Sequence, residues 1–208
     1  MKHHFELAVI AAGLALTSAA AQVVTVTSAD LQSFATGAQS SAVVNGVQFH
    51  AVGGKLDAKT VAGFLGIGVS GRTNGEIDLG ESIKASWGAP QVLTSFSVSF
   101  LYNGPEFGDV NEVAKVSLTG AHGIYGTLTA ISDTQAKWQL FSASNVALGA
   151  ASFVSAISPA EAGGAGVWTV NNPFGSYLGT GVKFGALPGV CGSRACYDQS
   201  DYAFYSLT

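Results

Sequence analysis

Charged residues are scarce in this sequence, where aspartate, glutamate, lysine and arginine together make up 11% of the chain. The formal net charge at pH 7 is −4, and removing the first residues takes away Lys2 and Glu6 without changing it. Proteins that bind nucleic acids normally gather lysine and arginine into a basic patch. The charge balance therefore predicts no nucleic-acid partner.

The sequence motifs of the common enzyme classes are absent as well. There is no P-loop. There is no zinc pattern either, because His50 and His122 lie far from the two cysteines and neither is part of an HxxxH or HExxH pattern. The segment GVSGR around Ser70 departs by one position from the nucleophile elbow of hydrolases. A GxGxxG run occurs at residues 66–71, but turn-forming residues follow it where a dinucleotide site needs a helix. We predict that the protein is not an enzyme and binds no organic cofactor.

A run of apolar residues long enough to cross a membrane is also missing. The apolar stretch at residues 7–16 is too short to span about 30 Å of hydrocarbon as a helix. Lys2 and two histidines precede it, and three alanines at residues 19–21 follow it, which together are typical of a secretory signal peptide. We predict that residues 1–21 are a signal peptide and that the mature chain is secreted, or held at the cell surface, without a transmembrane segment.

Glycine, in contrast, occurs 27 times, and 48% of the residues are hydrophobic. Such a composition is unfavourable for long helices and suits short strands joined by glycine turns. Residues 22–208 are enough for one domain with a sizeable core, and no repeat or linker divides them.

Strand-like runs recur along this domain at short intervals. Asn45-Gly46 between two β-branched runs is a strong hairpin signal, because both residues accept the positive φ of a type I′ turn. Residues 28–42 predict a short helix or a loop, and 142–166 predict loops or a weak strand. The spacing favours an antiparallel two-sheet β-sandwich, jelly-roll-like, over a doubly wound fold. The predicted strands are 23–27, the two runs of the hairpin within 43–49, 61–69, 92–102 (half-buried), 114–119, 124–131, 136–141, 167–170, 182–187 and 202–207.

The sequence has only two cysteines, Cys191 and Cys196. In an exported chain such a pair most simply forms a disulfide that closes a small loop, with a contribution of roughly 2 kcal/mol to stability. A metal or redox site is the alternative, but a metal site would need further cysteine or histidine nearby.

Acidic residues concentrate in two glycine-broken loops on either side of the run 92–102. Calcium takes six to eight oxygen ligands from such loops, and the cation would relieve the repulsion between the carboxylates. The alternative is that these are ordinary turn residues, with Asp78 or Asp109 capping backbone amides. The predicted ligands of one structural calcium ion are Glu76, Asp78, Glu81, Asp109, Asn111, Glu112 and Asp201.

The same carboxylates allow a second interpretation, as the acid and base of a glycoside-cleaving enzyme. That chemistry needs two carboxylates about 5–10 Å apart across a groove. We regard it as the weaker hypothesis, because sequence cannot supply the distance.

Aromatic residues beside turns suggest a carbohydrate-binding module as a further alternative, since sugar rings stack on exposed aromatic faces. Trp138 and Trp168 are each flanked by strand residues and are predicted to lie in the core, while Trp87 lies beside a turn. Tyr177 and Tyr197 are the candidate sugar-binding residues.

Four segments resemble the ectodomains of exported bacterial proteins that usually end in a PEP-CTERM sorting tail, and the likeness runs from about residue 44 to 208. The resemblance implies a small β-sandwich in the envelope of polysaccharide-producing bacteria, although the sorting tail itself does not occur in this sequence. We therefore expect a secreted, non-catalytic structural or matrix-associated protein, with extracellular polysaccharide or a second copy as its partner. The segments are GEIDLGESI, GPEFGDVNEVA, VWTVNNPFG and CGSRACYDQSDYAFYSLT.

Overall fold

The structure is a computed structural model that describes residues 23–104, 111–120, 123–161, 163–191, 194–195 and 200–208. Strands account for most of the regular structure in these residues. In chain order the elements are β1 (Val26–Thr27), α1 (Ser28–Leu31), β2 (Ser41–Val44), β3 (Val47–Val52), β4 (Leu56–Val61), β5 (Phe64–Val69), β6 (Ser82–Gln91), β7 (Ser95–Ser99), β8 (Asn111–Thr119), β9 (Tyr125–Ser132), β10 (Gln135–Phe141), β11 (Ser152–Ser155), β12 (Trp168–Asn171), β13 (Gly179–Cys191), β14 (Arg194–Ala195) and β15 (Ala203–Leu207).

Within the described residues these strands form two antiparallel sheets. The small sheet has six strands in the order β12-β7-β15-β5-β4, with β1 paired to β15. The large sheet has nine strands in the order β11-β10-β9-β8-β13-β6-β3-β2, with β14 paired to β13. The sheets pack face to face around one hydrophobic core, which confirms the predicted all-β two-sheet sandwich.

Aromatic rings from the two sheets alternate through the centre of this core. Phe49 of the large sheet meets Phe204 of the small sheet with 5.5 Å between ring centroids, and Phe204 meets Phe184 of the large sheet at 5.4 Å. The series continues from Phe184 to Phe96 at 5.8 Å and from Phe96 to Trp138 at 5.2 Å. Each such pair contributes about 0.5–1.5 kcal/mol beyond the burial of its area, so the rings join the two sheets into one unit.

The predicted Asn-Gly hairpin is confirmed. Strands β2 and β3 pair in antiparallel register, with Val44 opposite Val47. Asn45 and Gly46 form the turn with φ values of 50° and 79°. Both residue types adopt positive φ at low cost, which explains why the sequence marked this turn so clearly.

The prediction of a single strand over residues 61–69 is wrong. The structure has a hairpin there, in which β4 pairs with β5 around a turn at Ala62 and Gly63. Their φ values are 50° and 85°. Alanine seldom adopts positive φ, so the sequence gives a weak signal for this turn.

The prediction that residues 92–102 form one half-buried strand is also wrong. Strand β7 is shorter and is buried on both faces, since Ser97 is 5% and Ser99 0% exposed. The Ser97 hydroxyl hydrogen-bonds to the Thr169 hydroxyl of the adjacent strand at 2.8 Å. A serine with such a partner can be buried like an apolar residue, so the alternation of serine with apolar residues did not mark a solvent face.

The short helix predicted as one option for residues 28–42 is present as α1. It occupies a single turn and begins with a capping box, in which Thr27 and Asp30 satisfy each other's backbone amides. Strand β6, in contrast, lies outside the predicted set of strands. It begins at Ser82, one residue after Glu81, which the prediction had assigned to the acidic loop.

Several predictions concern residues outside the described ranges. These are the signal peptide at residues 1–21, the ligand Asp109, Cys196 and the aromatic residue Tyr197. The side chain of Cys191 likewise lies outside the description, so the disulfide stays a prediction. Among the described residues, no helix has the length and apolarity needed to cross a membrane.

Candidate functional site

The loop between β5 and β6 carries three of the predicted site residues and folds back along β5. The Val69 amide donates a hydrogen bond to the Glu76 carbonyl at 2.8 Å. A Cβ atom on Gly68 would lie 2.2 Å from the Glu76 nitrogen. The absence of a side chain at Gly68 therefore lets the loop backbone lie directly on the strand, which is the role of this part of the GxGxxG run.

Glu76 points into the protein, where it is 2% exposed. Its carboxylate forms an ion pair with the Lys59 ammonium on β4, with 2.9 Å between Oε2 and Nζ. Burial raises the pKa of Glu76, and Lys59 opposes part of that rise. The ion pair thus fastens the loop to the small sheet.

Asp78 and Glu81 bind the amides of their own loop. Asp78 Oδ2 accepts a hydrogen bond from the Thr73 amide at 2.7 Å. Glu81 accepts from the Arg72 amide at 3.0 Å and from the Asp78 amide at 3.1 Å. The alternative in which Asp78 caps backbone amides is therefore confirmed, although Asp78 is buried, at 1% exposed, rather than solvated.

Glu112 enters the same region from the start of β8 and is 1% exposed. Its Oε2 accepts a hydrogen bond from the Tyr102 amide at 2.6 Å. Burial raises the pKa of Glu112 well above its usual value, and the negative charges of Asp201 and Glu76 raise it further. The amides of Tyr102 and Asp201 bind the carboxylate and offset part of this effect.

The segment before β15 is hydrogen-bonded to the loop between β5 and β6 and to strand β8. The Ile77 amide donates to the Tyr202 carbonyl at 2.6 Å, and the Val113 amide donates to the Ser200 hydroxyl at 2.9 Å. Asp201 lies between these two attachments. The structure thus brings Glu76, Glu112 and Asp201 into one electrostatic cluster, which we call the acidic junction.

The predicted calcium ligands meet only in part. The amide oxygen of Asn111 accepts a hydrogen bond from the Gly104 amide at 3.1 Å. Within the described ranges, no group of three or more aspartate, glutamate, histidine or cysteine side chains has an arrangement that could hold a metal ion. Calcium binding stays a prediction that also involves Asp109.

The acidic junction can supply charge and hydrogen-bond acceptors, but Glu76 and Glu112 face the interior, and Asp201 is half-buried. Glu112 and Glu76 are almost completely covered and bind protein groups. Glu81 is the acidic residue that lines an open groove, of about 300 Å³, beside Lys115 and Lys183. In this structure Glu76 and Glu112 therefore hold the loops in place, whereas the groove beside Glu81 faces solvent.

Two of the tryptophans are core residues, as predicted. Trp138 is 4% and Trp168 0% exposed, and each indole N–H donates to a backbone carbonyl at 3.0 Å. Trp87 is half-buried and donates to the Gly179 carbonyl at 2.7 Å. Tyr177 is 45% exposed, so its ring is accessible to a ligand. Sugar binding at Tyr177 stays a prediction.

The large sheet has a further surface feature that the sequence analysis did not predict. Four strands of the large sheet each contain a lysine between two apolar residues, in the segments IKA, AKV, AKW and VKF. In a strand, this pattern places the lysine on the face opposite its apolar neighbours. We call the resulting set the lysine face; its members are Lys84, Lys115, Lys137 and Lys183.

Comparisons of the chain with protein-family models, with curated proteins and with solved structures gave no significant match. A functional proposal therefore rests on the fold, the acidic junction and the lysine face.

Proposed function

We propose that this chain is an exported, non-catalytic domain that associates with the extracellular matrix or the cell surface. The proposal rests on the observation that the buried carboxylates bind other groups of the protein and so hold its loops in place. Glu76 pairs with Lys59, and Glu112 accepts a hydrogen bond from the Tyr102 amide. A general acid or base must reach the proton of a substrate within hydrogen-bond distance, whereas these carboxylates hold loops against the sheets.

Export is supported by the basic, apolar and small-residue order of residues 1–21. The resemblance to PEP-CTERM ectodomains points in the same direction. A two-sheet domain whose sheets are joined by an aromatic core is a suitable building block outside the cell.

Assays of turnover test the non-catalytic part of the proposal. We expect purified residues 22–208 to show no turnover of polysaccharide, ester or peptide substrates. Glu112→Gln keeps the size of the side chain and removes its charge, and Glu76→Gln does the same on the loop side. Turnover by the original chain that disappears in either variant would overturn the proposal.

Cell fractionation tests the location. The full chain with a C-terminal tag should be recovered from the medium or the extracellular matrix, while a matched chain that lacks residues 2–21 should remain in the cytoplasm. Retention of both chains inside the cell would contradict export and, with it, the matrix role.

A carbohydrate-binding module is the second candidate function. It is favoured by the exposed ring of Tyr177 and by the lysine face of the large sheet.

A further inference from the structure

The lysine face lies on the outer side of the large sheet. Lys84 is exposed on β6, and its strand neighbours Ile83 and Ala85 are fully buried. Lys183 is exposed on β13 between the fully buried residues Val182 and Phe184. The alternation of buried and exposed residues directs the lysine side chains away from the core.

Like charges are placed side by side on this face. Lys84 and Lys183 are directly opposite each other in the antiparallel register, and His50 lies opposite Lys84 on the other side. Like charges at directly opposed positions destabilise a sheet. Among the described residues, one ion pair lies within 4.0 Å, and it joins Lys59 to Glu76. The two opposed lysines thus form no ion pair with any carboxylate in the part of the chain that the structure describes.

The face also excludes negative charge at its centre. In the described strands of the large sheet the one carboxylate is Glu112, whose side chain is buried. Glu81 lies at the rim of the groove beside Lys115 and Lys183, where its carboxylate binds backbone amides. A ligand complementary to such a surface carries negative charge.

Aromatic rings accompany the lysines. Tyr125 on β9 and Phe141 on β10 are cross-strand neighbours, and their rings stack at 5.3 Å with an interplanar angle of 18°. The Lys115 ammonium lies 4.2 Å from the centroid of the Tyr125 ring. Half-buried Ser117 and Thr127 lie beside this pair on the same face and offer hydroxyl groups.

The dimensions of the face suit an extended chain. Lys84 and Lys137 lie on strands separated by four inter-strand steps, which correspond to about 19 Å at the usual strand spacing. Duplex DNA carries one charge per about 1.7 Å, a density that four lysines on a protein of net charge −4 match poorly. A polymer with sparser carboxylates and many hydroxyl groups matches both the charges and the polar side chains.

We propose that the lysine face binds an acidic polysaccharide. The carboxylates of the polymer pair with Lys84 and Lys183, and its sugar rings pack on the platform of Tyr125 and Phe141. The inference rests on the proposed function, because it identifies the matrix component with which the domain associates.

Binding to polygalacturonate at low salt tests the charge requirement. We expect binding to polygalacturonate, and none to its fully methyl-esterified form, which has the same sugar backbone without the charge. The double variant Lys84→Gln with Lys183→Gln should weaken binding about fivefold to tenfold, because two exposed charge contacts are lost. The matched control, Lys55→Gln with Arg72→Gln, removes the same charge from exposed positions elsewhere and should change the affinity less than twofold.

A second variant separates sugar recognition from simple attraction of anions. Phe141→Ala should weaken binding to polygalacturonate and leave binding to poly-glutamate unchanged, because poly-glutamate has carboxylates but no sugar rings. Thermal melting of each variant establishes that the fold is retained.

Three outcomes would overturn the inference. The first is an absence of polygalacturonate binding, and the second is an equal loss of affinity in the two double variants. The third is equal or tighter binding of duplex DNA, which would make the face a general polyanion surface. A chain that fails these tests and is still recovered in the matrix fraction would refute this inference and leave the proposed function standing.

Discussion

At the scale of single residues, Glu112 lies in surroundings that disfavour its charge. Burial removes water from the carboxylate, and Asp201 and Glu76 bring further negative charge close to it. The two backbone amides that bind the carboxylate only partly offset this effect, so the pKa in the folded state is well above the usual 4.5. Burial also raises the pKa of Glu76.

The sign of the resulting pH dependence follows from proton linkage. Between the unfolded and folded pKa values of Glu112, the folded protein binds more protons than the unfolded chain, so the free energy of unfolding falls as pH rises. We expect the loss to begin near pH 4.5 and to continue up to the folded pKa, with a slope of at most about 1.4 kcal/mol per pH unit for this group. Urea unfolding across this range measures the slope.

Glu112→Gln should flatten this dependence, because the amide keeps the shape of the side chain but does not ionise. The matched control is Glu161→Gln, which changes an exposed carboxylate and should leave the slope as it is. Equal slopes in the original chain and in Glu112→Gln would show that Glu112 does not titrate abnormally.

At the scale of elements, the loop between β5 and β6 depends on close backbone contact. Gly68 has the Glu76 nitrogen, the Gly75 carbonyl carbon and the Glu76 Cα within 2.4 Å of the position where a Cβ would stand. All three are backbone atoms, which cannot rotate away as a flexible side chain could. The loop can therefore stay on β5 only while residue 68 is glycine.

Gly68→Ala should lower the free energy of unfolding by about 3 kcal/mol, at the upper end of the usual cost of overpacking. Chemical denaturation measures the difference. The matched control is Gly88→Ala on β6, where nothing lies within 4 Å of the added Cβ and φ is not positive. That variant should change stability by less than about 1 kcal/mol. A similar small effect in both variants would mean that the loop moves freely off the strand.

At the scale of the whole molecule, charge is distributed unevenly. Glu76 and Glu112 of the acidic junction are buried, while the lysine face lies on the outside of the large sheet. A net charge of −4 conceals this separation, because the sum says nothing about position. The predicted absence of a basic patch therefore followed from the total charge and did not anticipate the lysine face.

Lys84→Glu should raise stability and weaken polysaccharide binding about as much as the double variant, because both change the charge of the face by two units. The new carboxylate would face Lys183 directly, and replacing a repulsive pair by an attractive one is worth about 0.2–1 kcal/mol. Lys84→Gln removes only the repulsion, so its melting temperature should lie between those of the original chain and Lys84→Glu. The affinity for polygalacturonate should follow the opposite order, highest in the original chain and lowest in Lys84→Glu. The stability differences should shrink in high salt because both residues are exposed. A lower Tm for Lys84→Glu would show that the opposed lysines do not strain the sheet.

Much of the fold could be predicted because its signals are local. The Asn45-Gly46 turn depends on the φ preferences of two adjacent residues, and the burial of Trp138 and Trp168 was predicted from the strand residues that flank them. The turn at Ala62 escaped prediction, since alanine at positive φ is imposed by the pairing of β4 with β5. At this turn the pairing of the two strands overrides the φ preference of alanine.

The sequence by itself determined the fold class, because period-two alternation and glycine turns act within a few residues of each other. It also singled out Glu76 and Glu112 as members of two separate loops. Only the tertiary structure decided that these two carboxylates and Asp201 lie in one cluster, and that lysines from four strands share one face. Both results depend on the order of strands in a sheet, which is fixed by contacts between residues far apart in the chain.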